Sequence, residues 1–354
     1  MTASLAALPA EPLGARLSAP VRTGIVGATG AVGTEMLACL EKRGFPVSSL
    51  RLFASGRSAG RNVKFRGEPV RIEEATIDGF AGLELVLFSA GAEAARALAP
   101  AAVAAGAVVI DNSSAFRMEP WAPLVVPEVN GEEALHHQGL IANPNCSAAI
   151  AVMALAPLHA AVPLRRVIGS TYQAASGAGA EAVRELWEST SAYLQGRPYA
   201  PQVLKHPYAF NLFSHDSAID PETGCNGEET KVAQELRRLL AAPGLGVGLT
   251  CVRVPVLRAH TLVLTLEFER ALAPEAALEL LRAAPGVSVV HDAQRNRFPM
   301  PVEASGRDEV LVGRVRRDPS DASGRSLSLM VAGDQLLKGA ALNAVQIAEM
   351  LLNR

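Results

Sequence analysis

One cysteine of this chain stands where a reactive thiol is expected, in the segment Asn143-Pro144-Asn145-Cys146-Ser147. An apolar run at 140–142 predicts a strand before it, and an Ala- and Leu-rich run at 147–161 predicts a helix after it. At a helix N-terminus the unpaired N–H groups and the helix dipole favour an anion, so a thiol there ionises readily. The pattern predicts a nucleophilic thiolate at Cys146; the alternative is an inert buried cysteine, the commoner role of this residue type.

A glycine-rich turn is the second chemical signal. An apolar strand at 23–26 leads into Gly27-Ala28-Thr29-Gly30-Ala31-Val32-Gly33, and a helical pattern follows at 34–43. Glycines let the backbone approach a pyrophosphate, and the helix N-terminus then stabilises its charge. The spacing G-x-x-G-x-x-G departs from the commoner G-x-G-x-x-G, but the strand, turn and helix together predict a dinucleotide site. The predicted cofactor contacts here are Gly27, Thr29, Gly30, Ala31 and Val32.

The segment after the second predicted strand, at 50–54, bears on the choice of dinucleotide. A site selective for NAD usually has Asp or Glu at the end of this strand, to bind the ribose 2′-hydroxyl. This chain has Ser55, Arg57 and Ser58 there instead. A guanidinium and two hydroxyls suit a 2′-phosphate, so the pattern favours NADP, with an ordinary solvated loop as the alternative.

The elements that must position these residues follow from the apolar pattern. Continuous apolar runs at 83–88 and 108–111, separated by a helical stretch at 93–105, predict a parallel sheet covered on both faces. Ligands of such sheets bind outside the carboxyl ends of the strands, where Cys146 also lies. Beyond 161 the pattern changes, since 261–268 alternates with period two and puts one set of side chains in a core. Further predicted strands lie at 166–172, 249–256, 310–315 and 327–331.

These patterns predict an α/β protein with a Rossmann-like N-terminal dinucleotide-binding domain, at 21–145 and 334–354. The second domain, at 146–333, is predicted to be α+β with a mostly antiparallel sheet, one face of which is a candidate subunit interface. A final helix at 338–352 is predicted to pack on the first domain.

The composition of the 354-residue chain excludes several classes of function. A net charge of −2 provides no basic field that would attract nucleic acid or a membrane surface. The four cysteines show neither a C-x-x-C pair nor zinc-like histidine spacing, which favours the reducing cytoplasm and no metal. No apolar run reaches the about 18 residues of a membrane span, and residues 1–20 lack a signal-peptide pattern, so we expect a flexible tail there.

Six blocks, taken in chain order, give a more specific pattern. They are the glycine turn at 27–33, Asp111 to Met118, Val126 to Asn130, Asn143 to Ser147, Arg253 to Val256 with His260, and Lys338 to Ala348. Together they resemble the aspartate-β-semialdehyde dehydrogenases, over about 21–354. The resemblance implies NADP-dependent, phosphate-requiring interconversion of L-aspartate 4-semialdehyde and L-4-aspartyl phosphate, in the pathway to lysine, threonine and methionine, by a homodimer or homotetramer.

The resemblance also implies a role for individual residues. Cys146 is expected to be the nucleophile and His260 the acid/base, contributed by separate domains, while Gln173 orients the substrate. Arg253 is expected to bind the substrate α-carboxylate through two parallel hydrogen bonds, and Glu228 its α-ammonium. The expected phosphate contacts are Arg117, Lys231 and the amide of Asn145, and the expected contacts of the nicotinamide half of NADP are Ser176, Gly177 and Gln335.

The chain departs from the family pattern at four positions. It has Ala259-His260-Thr261 where Gly-His-Ser is usual, Gln335 where Asn is usual, and Ala148 where Thr is usual. We expect Ala259 to shift the base and Gln335 to crowd the nicotinamide. Two alternatives remain: a reductase of another acyl phosphate, such as N-acetylglutamyl phosphate, or a paralogue that acts as a binding module. The Asn-Cys-Ser sequence argues against the other reductase, and the retained cysteine argues against the binding module.

Overall fold

The computed structural model describes residues 16–352. The strands are β1 (Val21–Val26), β2 (Val47–Ala54), β3 (Asn62–Phe65), β4 (Glu68–Glu74), β5 (Leu85–Phe88), β6 (Val108–Asp111), β7 (Leu140–Ala142), β8 (Leu164–Gln173), β9 (Phe213–Ser214), β10 (Gly246–Arg253), β11 (His260–Phe268), β12 (Val287–Val289), β13 (Val310–Arg317) and β14 (Ser326–Gly333). The helices are α1 (Ala31–Lys42), α2 (Ala92–Ala104), α3 (Pro127–Asn130), α4 (Cys146–Ala161), α5 (Ala180–Leu194), α6 (Gly227–Leu239), α7 (Pro274–Ala283), α8 (Pro301–Ala304) and α9 (Leu342–Leu351).

The chain divides into two compact units. The first contains the described residues up to Pro144 and those from Ala340 onward, and the second is Asn145–Gly339. The second boundary differs from the prediction, because residues 334–339 belong to the second unit. The expectation that Cys146 and His260 come from separate domains was also wrong, since both lie in the second unit.

The first unit contains the sheet β3-β4-β2-β1-β5-β6-β7. Its strands pair in parallel except β3 with β4, which form an antiparallel hairpin that the sequence analysis did not predict. Every residue of β5 and β6 is buried, as expected for strands covered on both faces. The predicted parallel dinucleotide-binding architecture is therefore confirmed, and the carboxyl ends of β1, β5 and β6 lie along one edge.

The second unit contains the sheet β12-β13-β14-β11-β8-β10-β9. Pairing is antiparallel except between β8 and β10 and between β12 and β13, so the sheet is mixed but mostly antiparallel, as predicted. The period-two prediction is confirmed in β11, whose Leu262, Leu264, Leu266 and Phe268 are buried. β10 ends at Arg253 rather than at Val256, because Pro255 cannot donate to a neighbouring strand.

The C-terminal helix packs on the first unit, as predicted. Arg43 of α1 pairs with Glu349 of α9 at 2.6 Å, and Asn343 donates to the Val125 carbonyl at 2.9 Å. The predicted single helix is in fact a π-helical turn at Leu337–Ala341 followed by α9.

The predicted tail at 1–20 lies mostly outside the described residues, which begin at 16. Within it, Leu17 is buried and forms a β-bridge with Leu352, so the tail prediction does not hold at that position. Across 16–352 no helix combines the length and the apolar character needed to cross a membrane.

Candidate active site

Cys146 lies at a helix N-terminus, as predicted, and it is half-buried. It is the first residue of α4, which begins one residue before the predicted helix. Asn145 caps this helix: its Oδ1 accepts from the N–H groups of Ser147 at 2.8 Å and Ala148 at 3.3 Å. These backbone donors were expected to surround the thiolate directly. Instead the Asn145 side chain satisfies them, and the residues beside the thiol are held by side chains.

Helix α6 provides two carboxylates that hold Asn145. The Asn145 backbone N–H donates to Glu235 Oε2 at 2.5 Å, and its Nδ2 donates to Glu228 Oε1 at 2.8 Å. Glu228 and Glu235 are seven residues apart, so they lie on one face of α6. The sequence analysis missed Glu235, although Asn226 and Glu229 form a capping box that marks the start of this helix.

Gln173, at the end of β8, joins the same cluster. Its Nε2 lies 3.0 Å from Ser147 Oγ and 3.2 Å from Glu228 Oε1. The structure thus brings together Gln173, Glu228 and the two residues that flank Cys146. Gly339 leaves room on another side, because a Cβ added there would lie 2.8 Å from the Cys146 Cβ.

His260 begins β11 and is fully buried. Its Nδ1 accepts from the Ala174 N–H at 3.1 Å, so the neutral ring carries its proton on Nε2. Among the described residues Nε2 has no hydrogen-bond partner. Burial, followed by the positive charge of Arg253 and the nearby His215, lowers the pKa of His260 to about 3. The ring is therefore a neutral donor at Nε2, and the expected proton acceptor is not present at that atom.

Gly177 keeps open the space in front of this imidazole. A Cβ added at Gly177 would lie 3.0 Å from His260 Nε2 and 3.5 Å from Arg253 Nη1. The backbone N–H groups of Ser176 and Gly177 are already bonded to the carbonyls of Leu257 and Ala174. Gly177 therefore contributes open space rather than a hydrogen-bond donor.

Two of the departures from the family pattern contact each other. Ala259 has φ +71, in the left-handed region that favours glycine, and its N–H donates to Gln335 Oε1 at 2.8 Å. Gln335 Nε2 also donates to Ser176 Oγ. The Gln335 side chain thus holds the strained residue that precedes His260.

The residues expected to bind phosphate are engaged to different degrees. Arg117, in the first unit, donates from Nε to the Asn143 carbonyl at 2.9 Å and from Nη2 to the Asn112 carbonyl at 2.7 Å. The Asn145 donors point to carboxylates. Half-buried Lys231, by contrast, makes no hydrogen bond or ion pair within residues 16–352, so its charge is available to an anion.

The buried Cys251 provides a contrast to Cys146. Burial raises the pKa of its thiol to about 12, which keeps it protonated and unreactive at neutral pH. None of the four cysteines is in a disulfide in the described part of the chain.

The predicted cofactor turn, in the first unit, has the geometry of an anion site. Gly27 has φ +83, and a Cβ added at Gly33 would lie 2.2 Å from the Gly27 carbonyl oxygen. Gly30 caps α1 without a side chain, which leaves the N–H groups of the first turn open to a ligand. These features fit a dinucleotide pyrophosphate.

The segment after β2 contains a cation, Arg57, and lies close to a carboxylate of β4, Glu74. Arg57 is exposed, and so is Glu74, at the end of β4. A Cβ added at Gly56 would lie 3.0 Å from Glu74 Oε1. The Arg57 cation was predicted from the sequence, but the Glu74 carboxylate was not, because it belongs to the unpredicted hairpin.

Comparison with known proteins agrees with this architecture. Two family models match: the semialdehyde dehydrogenase NAD binding domain at 22–137 and the semialdehyde dehydrogenase dimerisation domain at 155–338. An aspartate-semialdehyde dehydrogenase of Synechocystis sp. is 49% identical over 96% of this chain and 99% of its own length. One from Bacillus subtilis is 45% identical over 92% of this chain and 96% of its own.

A solved structure is similar as well. A Vibrio cholerae aspartate semialdehyde dehydrogenase II, crystallised in complex with ASA, superposes with a TM-score of 0.90 at 40% identity. The match covers 94% of this chain and 98% of that one.

Proposed function

The chain belongs to the aspartate-semialdehyde dehydrogenase family, and we propose that it interconverts L-aspartate 4-semialdehyde and L-4-aspartyl phosphate with NADP and inorganic phosphate. One observation carries the proposal: Cys146 begins α4 while its two neighbours are bonded to Gln173 and Glu228. This arrangement fixes a nucleophile beside groups that recognise an amino acid. The role in lysine, threonine and methionine synthesis follows from the substrate.

Cys146 is the nucleophile of the proposed reaction. Its thiolate attacks the aldehyde carbon, forming a C–S bond and leaving the negative charge on the former carbonyl oxygen. When bound, the nicotinamide ring supplies the hydride acceptor that turns this adduct into a thioester. A hydrogenphosphate oxygen then attacks the thioester carbon, the C–S bond breaks, Cys146 leaves as thiolate, and the phosphate proton passes to solvent.

This sequence of steps requires no proton transfer at the substrate oxygen. Because a thiolate attacks and a thiolate leaves, the oxygen passes from carbonyl to oxyanion and back to carbonyl. The Nε2–H of His260 fits the oxyanion as a hydrogen-bond donor. We therefore assign His260 a stabilising role in place of the acid/base role that its position in the family motif implied.

The substrate's charged groups are proposed to bind to the other residues of the second unit. Glu228, with Oε1 already bonded to Asn145 and Gln173, receives the α-ammonium, and Arg253 receives the α-carboxylate. Lys231 is the main phosphate contact because its charge has no partner in the described chain. Arg117 and Asn145 remain proposed contacts, and Ser176, Gly177 and Gln335 remain proposed neighbours of the nicotinamide.

The family's dimerisation domain supports a homo-oligomer, and we propose a homodimer or homotetramer. Light scattering should give a mass of at least two chains at working concentration.

The activity test is reduction of NADP followed at 340 nm with L-aspartate 4-semialdehyde, with and without phosphate. Phosphate-dependent reduction is expected. A parallel assay with N-acetylglutamate 5-semialdehyde covers the other substrate class, and turnover of that compound alone would reject the proposed substrate. If neither aldehyde is oxidised at saturating concentrations, the proposed activity is wrong.

The choice of NADP is tested by a pair of variants at neighbouring positions. Arg57→Ala should weaken NADP binding about tenfold and leave NAD binding unchanged, since it removes a charge that faces the 2′-phosphate. Glu74→Gln should strengthen NADP binding by a smaller factor, because it removes a carboxylate beside Gly56. Equal effects of Arg57→Ala on both dinucleotides would refute the 2′-phosphate assignment.

A further inference from the structure

Arg253 is held by two residues that the sequence motifs did not identify. It is buried at the end of β10, and its Nε and Nη2 donate to Asp216 Oδ1 at 3.2 and 3.1 Å. Nη2 also lies 3.0 Å from His215 Nε2. The edge of the guanidinium formed by Nε and Nη2 is thus already occupied within the second unit.

The remaining nitrogen, Nη1, points toward the substrate space. It lies 3.5 Å from the position that a Cβ on Gly177 would take, and the same position is 3.0 Å from His260 Nε2. A substrate carboxylate can therefore bind to Nη1, whereas two parallel bonds from the Nε and Nη2 edge would require Asp216 to leave.

The contact between Arg253 and His215 requires a neutral imidazole. A guanidinium can only donate, so Nε2 of His215 must accept and the ring proton resides on Nδ1. Nδ1 lies 3.1 Å from Ser217 Oγ, which can accept that proton's hydrogen bond. The Ser217 N–H also has hydrogen-bond geometry toward Nδ1, at 3.2 Å, which by itself would favour the other tautomer. The Arg253 contact decides between them, because an Nε2–H facing a guanidinium costs more than an Nδ1–H facing a neutral amide.

Ser217 extends this network to the start of α6. Its Oγ accepts from the Glu228 N–H at 3.1 Å and lies 3.4 Å from Asn226 Oδ1, the cap of the helix. The proposed carboxylate-binding residue, Arg253, is thus connected through His215 and Ser217 to the helix that carries Glu228, the proposed ammonium-binding residue.

The charges around His215 favour its neutral form. Arg253 and Lys231 face it as cations, and Glu228 and Asp216 as anions. Burial and then the Arg253 charge lower the pKa of His215 below its ordinary value, so the ring accepts from Arg253 at neutral pH. Burial alone would raise the pKa of Asp216, but Arg253 brings it below its ordinary value, so the carboxylate stays ionised.

We propose that His215 and Asp216 are positioning residues that direct Arg253 Nη1 at the substrate and set its distance from Glu228, so that the site selects α-amino acids. The inference rests on the proposed function of Arg253. His215 and Asp216 contact Arg253 and not the substrate, so their role is distinct from that of Arg253.

The test compares His215→Leu, which removes the acceptor, with His215→Gln, whose amide oxygen can replace Nε2. His215→Leu should raise KM for the aldehyde about tenfold or more, with kcat and the KM values for NADP and phosphate little changed. His215→Gln should restore KM to near the wild-type value. His206→Leu, an exposed histidine of the same unit, is the matched control.

The pH dependence separates positioning from a general structural effect. In the wild type, KM for the aldehyde should stay constant through the ordinary histidine value of about 6.5 and rise at more acidic pH, because the pKa of His215 is lowered and its protonation puts a donor against Arg253. In His215→Gln this rise should be absent. An unchanged KM in His215→Leu, or the same acid rise in His215→Gln, would overturn the proposal.

A binding measurement keeps this test independent of turnover. L-2-aminobutyrate carries the α-carboxylate and α-ammonium but no aldehyde, and its affinity can be measured by calorimetry. Weaker binding to His215→Leu than to the wild type supports the positioning role even if no aldehyde is oxidised, a result that would count against the proposed function alone. Equal binding to both proteins would overturn the positioning role, and Asp216→Ala, which should also weaken binding, provides a second variant if His215→Leu does not fold.

Discussion

Two helix N-termini of this protein are built in opposite ways. Helix α1 follows a strand and a glycine turn, and its cap, Gly30, offers no side chain to the N–H groups of the first turn. Helix α4 follows β7, and its cap, Asn145, satisfies the equivalent N–H groups with its own oxygen. The first end leaves backbone donors for a ligand, whereas the second uses them to fix a residue.

The difference matches what each helix start has to bind. A pyrophosphate is already anionic and needs only donors that approach closely, which glycines permit. A nucleophile must be held in one place, and at α4 this is done by Asn145 together with Glu228, Glu235 and Gln173. In the proposed function, the same local element is thus a ligand site in one unit and fixes the nucleophile in the other.

The largest expected effect comes from removing the thiol, which should abolish the role of the α4 N-terminus and leave that of the α1 N-terminus unchanged. Cys146→Ala should lower turnover by about 10⁴-fold or more, since the thioester route is lost, while dinucleotide affinity stays at the wild-type value. Steady-state rates and a fluorescence titration with NADPH measure the two quantities. Cys225→Ser, at a half-buried cysteine without a proposed role, serves as the control, and substantial turnover by Cys146→Ala would contradict the mechanism.

Replacing the imidazole of His260 should show whether the nucleophile at the start of α4 is assisted by a proton acceptor or by a hydrogen-bond donor. His260→Ala should lose about 10²–10³-fold in kcat, the usual effect of removing one oxyanion donor. His260→Gln should stay within about tenfold of the wild type because an amide N–H can also donate, and its pH–rate profile should keep the same acid limb. If His260→Gln is as inactive as His260→Ala and that limb disappears, His260 is the base.

A methyl group at the start of α1 should affect the cofactor alone. The added Cβ of Gly33→Ala would meet the Gly27 carbonyl at 2.2 Å, so we expect at least about tenfold weaker dinucleotide binding and a stability loss of about 1–3 kcal/mol. The rate at which iodoacetamide alkylates Cys146 should be the same in Gly33→Ala as in the wild type. Gly91→Ala is the control, since Gly91 lies at the start of α2 and its added Cβ would meet nothing within 4 Å. Equal cofactor affinity in the two variants would reject the close-approach argument.

The smallest expected effect concerns the backbone before His260. Ala259→Gly should raise the free energy of unfolding by up to about 1 kcal/mol, because φ +71 strains alanine and not glycine. Urea denaturation measures this change in the free energy of unfolding. Ala276→Gly, inside α7, should instead lose about 0.5–1 kcal/mol, and a similar loss at position 259 would mean that the added conformational entropy of glycine in the unfolded chain, not strain, dominates there.

The sequence predicted those parts of the molecule that depend on local pattern. The buried strands, the glycine turn, the start of α4 at Cys146 and the alternation in β11 each follow from neighbouring residues, and each is confirmed. The hairpin β3–β4 was missed because its strands are short: apolar residues alternate with polar ones at only two positions in each strand, and four of the seven residues of β4 are charged.

The contacts that shape the site could not be predicted in this way. Asn145 and Glu235 are 90 residues apart, and Arg253 and Asp216 are 37 apart, so nothing in either local pattern indicates the partner. The tautomer of His260 depends on the Ala174 N–H, 86 residues away. Residue types indicated which chemistry was available, but these distant partners determine the direction of each hydrogen bond.

The fully engaged Asn145 has a consequence for natural variation in such chains. An aspartate at 145 would set a second carboxylate against Glu228, whereas its backbone N–H could still donate to Glu235. An alanine would remove both the side-chain donor to Glu228 and the acceptor that caps the first turn of α4. Positions 145 and 228 are therefore coupled, and a change at one of them in a distant relative should be accompanied by a change at the other.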